Sequence, residues 1–74
     1  MNKENQKVLT VVDEALKRYG SDIVSVDLSD GMIHVNLCTD KWSDAYMLSV
    51  AHFDKCNREE LERELDKRNV GHYW

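Results

Sequence analysis

The chain has 74 residues, 42 % of them hydrophobic, with 10 Lys and Arg against 14 Asp and Glu for a net charge of −4. That length holds one domain with one modest core, residues 1–74 forming a single unit. The acidic balance argues against a protein whose main work is gripping nucleic-acid phosphates or an anionic membrane.

No apolar run reaches the length of a membrane span, and residues 1–7 lack the apolar stretch of a signal peptide, which predicts a cytoplasmic protein. Charge is unevenly placed: residues 1–19 sum to +1, residues 20–54 to −5 and residues 55–74 to zero. The acidity belongs to the middle of the chain.

Residues 1–5 are polar and read as a frayed N-terminus. From residue 7 to 19, Val8, Val11, Val12, Ala15, Leu16 and Tyr19 recur at spacings of three and four, which places them on one stripe of a helix. Lys17 and Arg18 fall in its last turn and Gly20 just beyond, as the helix dipole and a left-handed terminus favour.

Residues 23–39 then form two β-rich runs around Asp30-Gly31, a preferred pair for a two-residue hairpin. That turn sets Ser29 opposite Met32, Leu28 opposite Ile33, Val26 opposite Val35 and Val24 opposite Leu37. It puts Asp27 opposite His34 and Ser25 opposite Asn36 on the other face. Turn chemistry and side-chain alternation agree.

A polar connection carrying Trp42 leads to residues 45–53, where periodicity fits either a strand or a helix. A strand is favoured, because Tyr46, Val50 and Phe53 suit a pleated surface and the next helix begins soon after. That helix opens at Asn57, with Glu60 completing a capping box and Cys56 and Leu61 placed as a hydrophobic staple. It offers only Leu61 and Leu65 to a core, and its charges pair along its own surface. Residues 70–74 form a tail that either frays or tucks its aromatics under a sheet edge. The predicted fold is α+β: a helix, a three-stranded antiparallel sheet and a second helix, in the order α-β-β-β-α.

Residue types that carry chemistry are sparse. His34 with Cys38 and His52 with Cys56 repeat a spacing of four, but on a strand that spacing is about 13 Å, too far for one ion to hold both. Asp27 facing His34 resembles an oriented general base, yet no serine in a glycine-rich elbow and no oxyanion donors accompany it. The chain therefore reads as a non-enzyme that needs no cofactor.

Residues 20–37, preceded by Val-Asp-Glu-Ala-Leu-Lys-Arg-Tyr, resemble the helix and hairpin of the NifU-type C-terminal iron-sulfur scaffold domain over roughly a third of the chain. In that family a Cys-x-x-Cys follows the second strand and binds the cluster. Here Cys38 stands alone, followed by Thr-Asp-Lys-Trp, and one thiolate does not hold a cluster in the usual way. A metal or iron-sulfur carrier using Cys38, Cys56 and the histidines is the alternative reading.

With both helices on the face of Val24, Val26, Leu28, Ile33, Val35 and Leu37, the opposite face would show Ile23, Met32, His34, Cys38, Met47, Ala51 and Phe53. Trp42 at the sheet end would extend it, as would Tyr73 and Trp74. An apolar face rich in Met and aromatics is how partner surfaces tend to look. Acidic loop residues Asp22, Asp30, Asp40 and Asp44 would steer it toward a basic protein, or the face would pair two copies as a homodimer. By analogy, short acidic chains without catalytic groups often inhibit or regulate larger proteins, phage-encoded blockers of nucleic-acid enzymes among them.

Overall fold

The structure, a computed structural model, describes residues 1–38 and 44–74. Helix α1 spans Lys3–Tyr19 and a 3-10 turn, Gly20–Asp22, leads into strand β1, Ile23–Ser29. Strands β2 (Met32–Leu37) and β3 (Asp44–Met47) follow, then helices α2 (Val50–Asp54) and α3 (Arg58–Lys67) and strand β4 (Gly71–Tyr73). The strands form one sheet in the order β3-β2-β1-β4, antiparallel except that β4 runs parallel to β1. The fold is α+β as predicted, but with a fourth strand, a mixed sheet and a third helix.

The polar N-terminus does not fray, because its asparagines cap and clamp. Asn2 Oδ1 accepts from the backbone N–H of Glu4 at 2.7 Å and of Asn5 at 3.4 Å, so α1 begins at Lys3, and Asn2 Nδ2 donates to the Lys55 carbonyl at 3.0 Å. The Asn5 side chain is fully buried. Its Nδ2 donates to the Asn57 carbonyl at 2.9 Å and to Glu60 Oε2 at 3.3 Å, while its Oδ1 accepts from the Asn57 N–H at 3.1 Å. Asn57 in turn caps α3 by accepting from the Glu60 N–H at 3.2 Å. The Glu60 carboxylate thus bonds Asn5 rather than reaching back to its own cap.

The hairpin takes the predicted register from Ser25↔Asn36 to Ser29↔Met32, with Asp30 and Gly31 at φ of 52° and 74°. At its far end a bulge intervenes. Ile23, not Val24, pairs with Leu37, and Val24 becomes the extra residue. Ile23 therefore turns into the core while Val24 stands 50 % exposed, the reverse of the alternation read from the sequence. Burying the larger apolar side chain of the two rewards that exchange.

Residues 45–53 divide between the two structures proposed for them. The ladder pairs Met32 with Met47, and the Leu48 N–H donates to the Gly31 carbonyl at 2.8 Å. Beyond Gly31, β2 has turned away, so a longer β3 would leave its backbone without a partner. The chain instead coils into the five-residue α2, which buries Phe53 to 7 % exposure. Gly31 also makes room for this crossing, since a Cβ there would lie 3.0 Å from the Leu48 carbonyl oxygen.

Helix α3 ends in a Schellman turn. Asn69 adopts φ 58°, the Val70 N–H donates to the Leu65 carbonyl and the Asn69 N–H to that of Asp66, both at 3.0 Å. Val70 and Leu65, the two positions whose apolar side chains often meet in this motif, are both buried in the core. The turn aims residues 71–73 alongside β1, so the tail becomes a strand rather than fraying. Gly71 is required there, because a Cβ would meet the Val24 carbonyl oxygen at 3.0 Å.

The core joins Val8, Val12 and Ala15 of α1, Phe53 of α2, Leu61 and Leu65 of α3 and the sheet residues Val26, Ile33 and Val35. All three helices thus cover the same face of the sheet. Asn5→Ala should lower the unfolding free energy by about 1–3 kcal/mol, because it empties a fully buried site and takes from the Asn57 N–H its acceptor, while the Asn57 carbonyl keeps the Leu61 N–H. Urea denaturation measures this, and a loss within about 0.5 kcal/mol would show that the clamp is incidental.

Candidate functional site: the open face of the sheet

The helices pack on one face of the sheet, and register assigns the side chains of the opposite, open face. A central row crosses all four strands as Tyr73, Asp27, His34 and Ala45. Toward the hairpin turn lies the row Ser29, Met32 and Met47, and away from it the row Gly71, Ser25 and Asn36. Met47 is 75 % exposed and Tyr73 67 %, whereas Asp27, Met32, His34 and Asn36 are half-buried and Ser25 is buried. Asn36 Nδ2 donates to Ser25 Oγ at 3.1 Å.

Charge is segregated between the two sides of the molecule. Every described Lys and Arg lies in a helix or at a helix end, and no described strand residue is a cation. Several of these cations are paired within the helical layer. The Arg68 guanidinium spans Asp13, at 2.8 and 3.4 Å, and Glu64, at 3.3 Å, and hydrogen bonding to Asp13 foremost raises its already high pKa. Lys67 meets Glu64 at 3.4 Å and Lys7 meets Glu4 at 3.9 Å. The open face carries Asp27 with His34 opposite it and no Lys or Arg of the described strands beside it.

Of the residues predicted for a binding face, Met32, His34 and Met47 do lie together on it. Ile23 and Phe53 do not: the bulge turns the first inward and α2 carries the second into the core. Ala51 is exposed but belongs to α2, not to the sheet. Cys38 is exposed just past β2, where its N–H donates to the Asp22 carbonyl at 2.8 Å. That bond places Asp22 at the end of the hairpin opposite Asp30, so these two acids form no common patch. Asp44 begins β3 opposite Val35, while Asp40 and Trp42 lie outside the described residues. Asp27 and Tyr73 were not foreseen as neighbours because β4 was not foreseen.

The groups that suggested metal or nucleophile chemistry stay apart. Among the described residues, no three His, Cys, Asp or Glu side chains gather where they could hold a metal ion. Cys56 packs against the core and its Sγ donates to the His52 carbonyl, not the imidazole, at 3.1 Å. Burial, and then the Glu4 carboxylate, push its pKa up, against a smaller opposing effect of Arg58. That keeps it a thiol, the wrong form for a ligand or nucleophile. His52 Nε2 instead lies 3.0 Å from Lys7 Nζ and 3.6 Å from Glu4 Oε2. A cleft of about 350 Å³ opens where α1 and α3 end, but its one charged lining residue is Arg68, already held by two carboxylates.

Comparison with protein-family models, with characterised proteins and with solved structures finds no match. The likeness to the iron-sulfur scaffold domain therefore rests on α1 and the hairpin alone. No described helix is long and apolar enough to cross a membrane.

The two thiols should differ in reactivity. In native protein Cys38 should react with a disulfide reagent at least about tenfold faster than Cys56, and unfolding should erase the difference. Because burial raises the folded pKa of Cys56 above its ordinary 9.0, the unfolded state holds fewer protons once pH passes that value. The stability this thiol contributes is complete below pH 9 and is lost as pH rises through the folded pKa. Denaturation across the alkaline range should show a shallower decline for Cys56→Ala, and identical slopes would contradict the assignment.

Proposed function

We propose that this chain is a small non-enzymatic protein-binding module that inhibits or regulates a larger protein by laying the open sheet face against it. One observation carries the reading. A four-stranded sheet face bears exposed Met47 and Tyr73 and, among the described residues, no Lys or Arg, while the described Lys and Arg belong to the helical layer behind it.

Charge favours a basic partner over a second copy of the chain, because two such faces would bring Asp27 of each into like-charge opposition. Four strands at about 4.8 Å spacing and up to seven residues long give about 400 Å², roughly half of what one partner contributes to a stable interface. A complete interface would thus take in the hairpin tip or a sheet edge as well.

A photo-crosslinking residue at position 47, compared with one at Arg63 on the exposed part of α3, tests this in the native cell. Adducts with a discrete protein should form from position 47 only, and Met47→Asp should abolish binding of that protein while shifting stability by no more than about 0.5 kcal/mol. Equal labelling from both positions, or a Met47→Asp variant that binds normally, would remove the open face from the account.

A further inference from the structure

Asp27 occupies an unusual position on that face. It sits on β1, an inner strand, with Tyr73 beside it in register on β4 and His34 on β2. The residue is half-buried, and no Lys or Arg of the described strands lies beside it. A charge-assisted hydrogen bond formed at such a place gains more than one formed in open water.

We propose that Asp27 and Tyr73 together form a receptor for an arginine side chain of a partner protein. The proposal rests on the open-face reading and names the chemistry of its occupant. A carboxylate offers two acceptor oxygens to the planar guanidinium fork, and the neighbouring tyrosine ring offers a face for it to stack on; a lysine ammonium makes neither contact as well. The fold already uses both interactions internally. Arg68 forks onto Asp13 through Nε at 2.8 Å and Nη2 at 3.4 Å, and the Arg18 guanidinium lies 5.6 Å from the centre of the Tyr19 ring. On the open face the carboxylate and the ring are present without the arginine.

The next row defines what accompanies that arginine. Met32 is the diagonal neighbour of Asp27 across the hairpin, about 7–8 Å away, and pairs directly with Met47. An extended chain places side chains two residues apart on one side at about 6.8 Å. The occupant is therefore an extended segment bearing arginine and, two residues along, an apolar side chain that covers the methionine pair.

The pentapeptide acetyl-Ser-Arg-Ser-Leu-Ser-amide, titrated to millimolar concentration into isotope-labelled protein, tests this by NMR. Saturable shifts should centre on Asp27, Tyr73 and Met32. Affinity should fall about fivefold or more when the peptide carries Lys for Arg, and likewise in Asp27→Asn and in Tyr73→Leu. The Lys peptide requires no variant, so the comparison stands even where a substitution disturbs the fold. Absence of saturable shifts, shifts spread over the helical carboxylates, or equal affinity for the Arg and Lys peptides would overturn the arginine assignment. Those results are separable from failure of the open-face reading, since adducts from position 47 that persist in Asp27→Asn would show the face in use without an arginine receptor.

Discussion

A single buried amide, that of Asn5, sets the relation between the two ends of this chain. Its carbonyl and its amino group both bind the backbone of Asn57, the residue that caps α3, so the first turn of α1 and the first turn of α3 are fixed to each other. A buried amide left without these partners would cost about as much as a good hydrogen bond contributes several times over, which makes the docking of the helices specific as well as stable. From that point the rest follows in order. With its N-terminus pinned, α3 lays Leu61 and Leu65 on the core, and its Schellman turn at Asn69 delivers Gly71 beside Ser25. The helix that Asn5 pins thus ends in the turn that leads to the pairing of Tyr73 with Asp27.

The same sequence of constraints explains why the molecule has two unlike sides. Helices α1, α2 and α3 share one core, and several cations of this layer meet nearby carboxylates, as Arg68 does with Asp13 and Glu64. The sheet receives the remaining composition: alternating strands whose outward residues are Asp27, His34, Asn36, Met32 and Met47. An antiparallel sheet with one face packed and the other solvated usually alternates apolar with polar. Here the outward set mixes a carboxylate, an imidazole, an amide and two thioethers with the ring of Tyr73, which is a composition suited to recognition rather than to hydration alone.

How much of this was legible in the sequence depended on whether the signal was local. The hairpin register was, because Asp30-Gly31 fixes the turn and each pair of side chains repeats the same message; so was the apolar stripe of α1 and the Asn57 cap. The bulge at Val24 was not, since Ile and Val are interchangeable to a pattern of alternation and the choice between them is made by the space available in the core. The split of residues 45–53 into strand and helix depended on where β2 runs out of backbone to pair with, a fact about a neighbouring strand. Residues 1–5 read as frayed because capping asparagines and disordered polar residues look alike until their acceptors are known. For the site, Met32, His34 and Met47 followed from the hairpin, whereas Tyr73 required β4, whose cue was Asn69 followed by Val70 at the end of α3.

The proposed function requires Met47 and Tyr73 to be accessible in the isolated chain and covered in the complex with a partner. Oxidative footprinting reads both states at once, because Met47 lies on that face, 75 % exposed, and Met1, 58 % exposed, lies at the start of the chain beside the helical layer. In dilute purified protein both methionines should oxidise readily; in the native extract Met47 should be protected while Met1 remains reactive. Met47 equally reactive in both settings, or already protected in the isolated chain, would contradict the account.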